Sequence, residues 1–295
     1  MKKILTICFS LTMLTMMLAG CGGTTTPKEE AAFDTTKGIV VVSREPGSGT
    51  RGAFVELLGI EVKDEAGNKK DMTTDKAIIS NQTEAVITQV SGNPYAIGYI
   101  SLGSLNNNVK ALKVNGVEPK IDNIKSGSYK VARPFMIVTK GEAIDLKKDF
   151  IDFALSKEGQ AVVTANKYIV SVDNAAPYSG SKPSGKIVVG GSSSVSPLME
   201  KLIEAYKQVN PNATVELQST DSTAGVKNAT AGSYDIGMAS REIKEAEKPG
   251  LVEYVLALDG IAVIANNANS ISDIASADVT KVFKGEATKW SEVIK

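Results

Sequence analysis

Short apolar runs and amphipathic stretches alternate along most of the chain. Residues 39–42 and 187–189 are β-branched runs, which are typical of buried strands. Each run is followed by a glycine-rich turn and then by apolar residues at helical spacing, over 52–58 and 198–209 respectively. Because strand and helix patterns alternate in this way, the sequence predicts an α/β protein.

The rest of the chain repeats this alternation. Further strands are predicted over 95–102, 134–139, 215–217 and 256–265. Further helices are predicted over 83–90, 146–165, 223–231 and 274–283. The helix over 146–165 is expected to break near 156–159, where Ser and Gly interrupt the apolar pattern.

Residues 174–185 interrupt the alternation with a stretch rich in Pro, Gly and Ser. A segment of this composition without an apolar period predicts a linker. After it, the chain starts again with a strand, a small-residue loop and a helix.

The N-terminus has the pattern of a targeting segment. Lys2 and Lys3 precede an apolar run over 4–18, and Cys21 follows Ala-Gly. This segment resembles a bacterial lipoprotein signal, which implies a signal peptide over 1–20 and a lipid such as palmitate on Cys21. The alternative is an N-terminal membrane helix, but the run is shorter than the roughly 20 residues of a full span. Residues 21–33 then predict a tether that holds the domain at the outer face of the cell membrane.

Composition excludes several kinds of site. The chain has no histidine, so a Ser-His-Asp triad, a Cys-His pair and a His-ligated zinc site are impossible. Lys+Arg and Asp+Glu are equal at 33 each, which argues against a general nucleic-acid binder. We find no Gly-Lys-Ser/Thr ending of a nucleotide-binding loop and no diagnostic nucleophile–base spacing. The sequence therefore predicts no catalytic residue, no metal and no cofactor.

Three loops have the composition of an anion cradle. They lie at 43–50, 190–194 and 219–225, each between a predicted strand and a predicted helix. Unpaired N–H groups and a positive dipole end at a helix N-terminus, with Ser and Thr hydroxyls, suit an oxyanion such as phosphate or sulfate. Arg44 adds a permanent charge to the first loop. Ser, Thr and Gly before a helix are also ordinary N-caps, so both interpretations stay open here.

The loops carry a specific resemblance. Val-Val-Val-Ser-Arg-Glu-Pro-Gly-Ser-Gly-Thr-Arg over 40–51 and Gly-Ser-Ser-Ser-Val-Ser-Pro over 191–197 resemble signatures of the phosphate-binding proteins of ABC transporters. Matching pieces at 97–99, 156–160, 221–226, 235–237 and 283–290 extend the resemblance over nearly all of 36–295. The resemblance implies a two-lobe, periplasmic-binding-protein-like (type II) α/β fold that closes over the anion.

The order of these pieces differs from the usual family order. There the serine-rich loop comes first, and the 283–290 segment runs directly into the loop at 44–50. The chain therefore resembles a circular permutant, with 174–185 as the joining linker. This order implies one lobe over 34–130 plus 266–295 and a second, continuous lobe over 131–265. It also implies that Lys295 lies near Lys37.

The family's phosphate ligands carry over to matching positions. The resemblance implies ligands Arg44, Ser48, Gly49 and Thr50 from one lobe and Ser193, Ser194 and Ser222 from the other. Thr223, Ser240 and Arg241 are second-line candidates. The family commonly has an Asp, which accepts a proton from phosphate, at the position of Arg241. Either Glu242 takes over as acceptor, or Arg241 adds a second cation and changes the selectivity.

These expectations combine into one preferred function. The resemblance implies a lipid-anchored, non-enzymatic protein that captures inorganic phosphate outside the membrane and delivers it to ABC permease subunits. The alternatives are a receptor for another tetrahedral oxyanion such as sulfate, and a phosphate-sensing or adhesion lipoprotein. Nothing in the sequence requires more than a monomer, and no nucleic-acid partner is expected.

Overall fold

The computed structural model describes residues 33–65 and 68–294. The predicted signal peptide, Cys21 and residues 21–32 of the predicted tether lie outside the described residues. Phe33, the last residue of that tether, packs against the domain instead. The centre of its ring lies 5.1 Å from that of Tyr95 and 5.9 Å from that of Trp290. Within the described ranges, no helix has both the length and the apolar character needed to cross a bilayer.

The described residues form strands β1 to β14 and helices α1 to α8. The strands are β1 Val40–Arg44, β2 Glu61–Lys63, β3 Lys69–Asp71, β4 Ile78–Ser80, β5 Ala96–Ser101, β6 Val109–Ala111, β7 Lys113–Val114, β8 Ala132–Lys140, β9 Ile169–Val170, β10 Gly185–Ser192, β11 Ala213–Thr220, β12 Ile236–Ala239, β13 Leu251–Asn266 and β14 Asp273–Ile274. The helices are α1 Gly49–Leu57, α2 Thr83–Ser91, α3 Ile121–Lys125, α4 Asp145–Leu155, α5 Lys157–Ala165, α6 Ser196–Val209, α7 Ser222–Ala231 and α8 Ser276–Lys284. The predicted α/β class is confirmed.

One mixed sheet organises the molecule. Its strand order is β11-β10-β12-β8-β13-β5-β1-β4, and β6 and β9 also pair with β13. Strands β1, β4 and β5 run parallel at one end, and β10, β11 and β12 run parallel at the other. The long antiparallel strands β8 and β13 pair in the middle and join the two ends.

The sheet has two halves with separate cores. In the first half, Phe54, Tyr99, Phe283 and Trp290 are buried in one cluster of apolar side chains. In the second half, Phe135, Phe150, Phe153 and Tyr206 are buried in another. We call the end that contains β1, β4 and β5 the first half of the sheet, and the end that contains β10, β11 and β12 the second half.

Strand β13 passes from one half of the sheet to the other along its length. Leu256 and Ala257 pack in the second core, whereas Ile261, Val263 and Ala265 already pack in the first. The reason is that successive residues of β13 exchange β8 for β5 as partner after Gly260. The change from one core to the other therefore lies within Leu258–Ile261 of β13.

Most of the strongly patterned elements lie where the sequence places them. The break in the helix over 146–165 is confirmed, since Ser156 separates α4 from α5 and caps α5 by accepting from Gly159 N. The pattern does not predict strands β2, β3, β4, β6, β7, β9 and β14, each of two or three residues, or β12, of four. A strand this short has too few alternating positions to show a period.

The predicted linker is an irregular segment fastened to the second half. Tyr178 Oη donates to Asp149 Oδ2 at 2.6 Å, and Lys157 N donates to Ala176 O at 2.8 Å. Asn210 Nδ2 donates to Pro183 O at 2.9 Å. Gly185, the last residue of the predicted linker, already belongs to β10.

The two ends of the described chain lie against each other. Ser291 N donates to Thr35 O at 2.7 Å, and Ile39 N donates to Thr288 O at 2.8 Å. An isolated antiparallel bridge joins Gly38 and Lys289 between these bonds. Residues 35–39 and 288–291 thus form one hydrogen-bonded seam.

Candidate functional site

The candidate site lies where the parallel strands of both halves end. Strand β1 ends at Arg44, five residues before α1 begins, and β10 ends at Ser192, four residues before α6 begins. Strands β11 and β12 lead directly to Ser222 and Ser240. Side chains at the carboxyl ends of parallel strands share one edge of a sheet, which is where α/β proteins bind ligands.

Four helices point their N-termini at this edge. They are α1 and α2 from the first half and α6 and α7 from the second, each at least nine residues long. Buried hydroxyl residues lie at or next to these ends, namely Thr50, Thr83, Ser194 and Ser222. Free N–H groups and the positive ends of the helix dipoles therefore meet in a region that is lined with hydroxyls.

Direct contacts join the two halves across the site. Arg44 Nη2 donates to Ser193 Oγ at 3.1 Å. The hydroxyls of Thr50 and Ser194 are 2.8 Å apart, and those of Thr83 and Ser194 are 3.2 Å apart. These five residues come from two halves of the sheet and two distant parts of the sequence, yet their side chains form one buried cluster.

Arg44 is the buried cation at the centre of the site. Its Nε and Nη2 donate to the carboxylate of Glu45 at 2.7 and 2.6 Å, and its backbone N–H donates to Tyr99 Oη at 3.2 Å. Burial raises the pKa of Tyr99, so this hydroxyl stays protonated and neutral. The loop after β1 therefore delivers a permanently charged fork that is held in place from two sides.

Ser240 links the hydroxyls of the second half. Its Oγ accepts from Ser192 Oγ at 2.9 Å and lies 3.4 Å from Ser222 Oγ, while its N–H donates to Ser222 Oγ at 3.0 Å. It also lies 3.3 Å from Thr50 Oγ1 of the first half. The second-line candidate Ser240 is therefore placed among the first-line candidates Thr50 and Ser222.

Ser48 and Gly49 lie at the start of α1. Ser48 Oγ accepts from Arg51 N at 3.3 Å, which is the N-cap contact, and its own hydrogen remains available for another acceptor. A Cβ at Gly49 would overlap Ser222 Oγ and lie 2.9 Å from Ser240 Oγ. The loop therefore caps α1 and also comes into close contact with the opposite half.

Arg241 and Thr223 lie at the margin of this cluster. Arg241 Nη1 and Nη2 each donate to the carboxylate of Glu247 at 2.8 Å, and Nη2 lies 3.5 Å from Thr223 Oγ1. Burial acts to raise the pKa of Glu247, but bonds from Arg241 and Lys244 N outweigh it and lower that pKa overall. Glu242 is exposed, and its backbone carbonyl rather than its carboxylate accepts from Arg241. The structure does not bring the Glu242 carboxylate into the cluster.

Two residues of the cluster escaped the sequence analysis. Thr83 begins α2, and its Oγ1 accepts from Arg44 Nη1 at 3.3 Å. Arg133, at the start of β8, donates from Nη2 to Thr50 Oγ1 at 2.9 Å. Its Nη1 lies 3.0 Å from Asp259 Oδ2 in an ion pair that is almost fully buried. Burial raises the pKa of Asp259 to about 6, although the charge of Arg133 opposes the rise.

Comparison with known proteins places the chain among binding proteins. A family model described as a PBP superfamily domain matches residues 29–158 and 176–295. The Phosphate-binding protein PstS 2 of Streptococcus agalactiae serotype V is 50% identical over 281 residues, which cover 95% of this chain and 94% of that protein. The protein of the same name from Streptococcus pneumoniae serotype 4 is 45% identical over 293 residues, 99% of both chains.

A solved structure agrees with these relatives. It is the crystal structure of a phosphate ABC transporter, phosphate-binding protein from Streptococcus pneumoniae TIGR4. That chain is 47% identical to this one, with a TM-score of 0.69. The match covers 87% of this chain and 100% of the other.

Proposed function

The chain belongs to the PBP superfamily, and we propose that it binds inorganic phosphate outside the cell membrane for delivery to an ABC-type import permease. The observation that carries this proposal is the meeting of Arg44 with hydroxyls at four helix N-termini from both halves of the sheet. The names of its streptococcal relatives and of the solved structure support phosphate as the ligand. Binding and release need no covalent chemistry, so the protein is a receptor and not an enzyme.

Phosphate would take the place of the bonds that the site residues now make to each other. Arg44 supplies the charged donor, and Ser48, Gly49, Thr50, Ser193, Ser194 and Ser222 supply hydroxyl and backbone donors. A tetrahedral anion accepts bonds on all four oxygens, so it can be held from both halves at once. Hydrogen bonds to an ionised group contribute about 1.5–3 kcal/mol each, more than the neutral bonds that they replace.

We propose that the two halves act as lobes that close over the anion. From the core contacts and the strand pairing, the proposed lobes span about 33–131 plus 261–294 and 132–260, where the sequence predicted 34–130 plus 266–295 and 131–265. Only strands β8 and β13 run from one parallel end of the sheet to the other among the described elements. A ligand that contacts both lobes stabilises the closed form, because it has more contacts there than in the open form.

The proposed anchor is a lipid on Cys21. A lipid on the cysteine that follows a signal sequence would keep the receptor at the membrane surface, where its permease lies. Labelling cells with a radioactive fatty acid tests this, since the wild-type protein should take up label and the Cys21→Ala variant should not.

We further propose that the segment order is circularly permuted relative to the usual family order. The hydrogen-bonded seam between 35–39 and 288–291 supports this, because a permutant must have its ends where another chain is continuous. The fastened segment at 174–184 supplies the join. The streptococcal relatives align over nearly their full length, so they share this order.

Reordering the chain tests the permutation. A chain that starts at Gly185, runs to Ile294, continues from Phe33 through a short Gly-Ser joint and ends at Asp173 should fold and bind phosphate like the parent. The matched control uses the same joint but opens between Tyr99 and Ile100, inside a buried strand, and should not fold. Failure of the first chain to fold would count against the permutation.

Calorimetric titration of the anion-stripped chain from residue 22 tests the function itself. We expect tight binding of phosphate and a much weaker response to sulfate, at two pH values. No heat with either anion would refute the proposed function.

Sulfate or another tetrahedral oxyanion is the second candidate, and one observation favours it. Among the described carboxylates around the cluster, those of Glu45, Asp259 and Glu247 each already hold an arginine, and that of Asp221 accepts from Ala224 N as the cap of α7. A fully ionised anion needs donors alone, whereas hydrogen phosphate also needs an acceptor for its proton. Equal or tighter sulfate binding in the titration would establish this candidate over phosphate.

A further inference from the structure

The chain reserves arginine for the surroundings of the site. It contains four arginines, Arg44, Arg51, Arg133 and Arg241, against 29 lysines. Each arginine forms an ion pair with one carboxylate, namely Glu45, Asp71, Asp259 and Glu247 respectively. A guanidinium stays charged when buried and presents a rigid fork of donors, so it can hold several oxygens in fixed directions. All four positions therefore use a side chain that stays charged and directs several donors at once, which the ammonium of lysine does not do.

Arg133 differs from the other three because it lies on β8, next to the place where the chain crosses between the halves, and its guanidinium contacts both of them. Its Nη2 donates to Thr50 Oγ1 of α1 at 2.9 Å, and its Nε donates to Ser240 O, just after β12, at 2.8 Å. Its backbone lies opposite Asp259 in the β8–β13 pair, where the chain passes between the halves. Its guanidinium also lies 5.4 Å from the centre of the Phe135 ring. One side chain thus joins the crossing strands to a residue of each half.

The bond from Arg133 fixes the direction of the Thr50 hydroxyl. Arginine has donors and no acceptor, so Thr50 Oγ1 must be the acceptor in this contact. The hydrogen of the Thr50 hydroxyl then points to another partner, such as Ser194 Oγ at 2.8 Å or an oxygen of a bound anion. Without Arg133, the same hydroxyl is free to turn its lone pairs toward the anion, which repels it.

We propose that Arg133 is a positioning residue of the oxyanion site: held by Asp259, it acts through Thr50 and keeps the Thr50 hydroxyl as a donor to the anion. This inference rests on the proposed function, since it requires an anion in contact with Thr50. It also assigns the buried Arg133–Asp259 pair a role in binding beyond linking the two crossing strands.

A set of variants separates this role from a structural one. Arg133→Gln leaves Asp259 buried without its partner, so loss of stability alone would weaken every function. The double variant Arg133→Gln with Asp259→Asn removes both charges and should recover stability relative to the single variant. We expect its phosphate affinity to stay at least tenfold below that of the parent, because Thr50 has still lost its donor.

Coupling to Thr50 is the decisive readout. In a Thr50→Val background the hydroxyl is absent, so adding the Arg133 and Asp259 substitutions should change phosphate affinity by less than about twofold. Arg133→Lys should keep part of the affinity that Arg133→Gln loses. An ammonium can reach one of the three acceptors of Arg133 but not all of them, and these are Thr50 Oγ1, Ser240 O and the Asp259 carboxylate. Calorimetric titration of the full chain with phosphate gives the affinities, and thermal unfolding gives the stabilities.

The outcomes are distinct. Lys69→Gln removes a cation from an exposed surface pair and should bind as the parent does. If parent and Lys69→Gln both fail to bind phosphate, the proposed function fails. If both bind phosphate and the double variant also binds it as tightly as the parent, this inference alone is wrong. It is also wrong if the Arg133 and Asp259 substitutions lower phosphate affinity by the same factor in the Thr50 and the Thr50→Val backgrounds. If neither the single nor the double variant folds, Arg133 is a structural residue and the inference is also wrong.

Discussion

The loop after β1 and the loop after β10 occupy matching places in the two halves of the sheet, but they bring different chemistry to the site. The first follows directly on Arg44, the last residue of β1, whose buried guanidinium is braced by Glu45 and whose backbone N–H donates to Tyr99. The second carries Ser193 and Ser194, which are neutral and lie just before α6. Neither loop alone surrounds an anion with donors, so recognition depends on the contact between halves. Of these two loops, only the first brings a positive charge to the site, whereas both bring hydroxyl donors.

Removing the charge should have the largest effect. Arg44→Ala is expected to weaken phosphate binding by about 2 kcal/mol or more, roughly thirtyfold, the scale for loss of a charged hydrogen-bond partner. Titration calorimetry measures the change. Lys186→Ala, at an exposed ion pair of β10, is the charge-matched control and should bind normally. Affinity near that of the parent in Arg44→Ala would show that the first loop is not the source of the charge that holds the anion.

Pushing the first loop away from the second half of the sheet should have the next largest effect. The added methyl group of Gly49→Ala would overlap Ser222 across the site, so we expect a loss of roughly 1–3 kcal/mol in phosphate binding. Gly52→Ala, on the same helix, meets its nearest atom at 3.8 Å and serves as the control. Small-angle scattering with and without phosphate should show less compaction on binding for Gly49→Ala. Normal binding by this variant would mean that the halves need not approach so closely.

The residue order indicated those members of the buried cluster whose position depends on local chain direction. Arg44, Thr50, Ser194 and Ser222 follow strands and precede helices, and that pattern is visible in the residue order. Thr83 has the same local setting, but its loop contains no glycine and is flanked by ordinary polar residues, so it looked like a plain helix start. Its place in the site depends on β4 pairing with β1, which is a contact between distant segments.

Arg133 and Arg241 show the limit of such predictions more clearly. Arg133 precedes Pro134 at the start of a strand, and no local signal relates it to Thr50, which lies 83 positions earlier. The resemblance puts Arg241 where the family commonly has an Asp, and the sequence left open whether Glu242 replaces that acceptor or Arg241 adds a second cation. The short turn that includes Glu245–Glu247 instead pairs Arg241 with Glu247, and this turn has no apolar period that could reveal the pair.

The pair at the crossing of the halves should be visible in the pH dependence of stability. Burial raises the folded-state pKa of Asp259 to about 6 from its ordinary value near 3.8. Between these values the folded chain binds the extra proton, so this group makes the protein less stable as pH rises from about 4 to 6. The slope cannot exceed about 1.4 kcal/mol per pH unit, the value for one proton.

Asp259→Asn isolates this contribution. Other groups act in the opposite direction, since the pKa of Glu247 and of Asp71 is lowered on folding. The stability of the parent minus that of the variant, from urea unfolding at several pH values, cancels those shared terms. The difference should fall between pH 4 and 6 and level off above it. A flat difference would show that Arg133 compensates fully for the burial of Asp259.

The smallest effect is expected from a single hydroxyl of the neutral loop. Ser194→Ala removes contacts to Thr50 and Thr83 but no charge, so phosphate binding should weaken by about 1 kcal/mol, roughly fivefold. Thr230→Ala, whose hydroxyl bonds only the backbone of its own helix among the contacts described, controls for the loss of a hydroxyl. If Ser194→Ala costs as much as Arg44→Ala, charge is not what separates the two loops. Recognition would then rest on the hydroxyls and helix ends that both halves share.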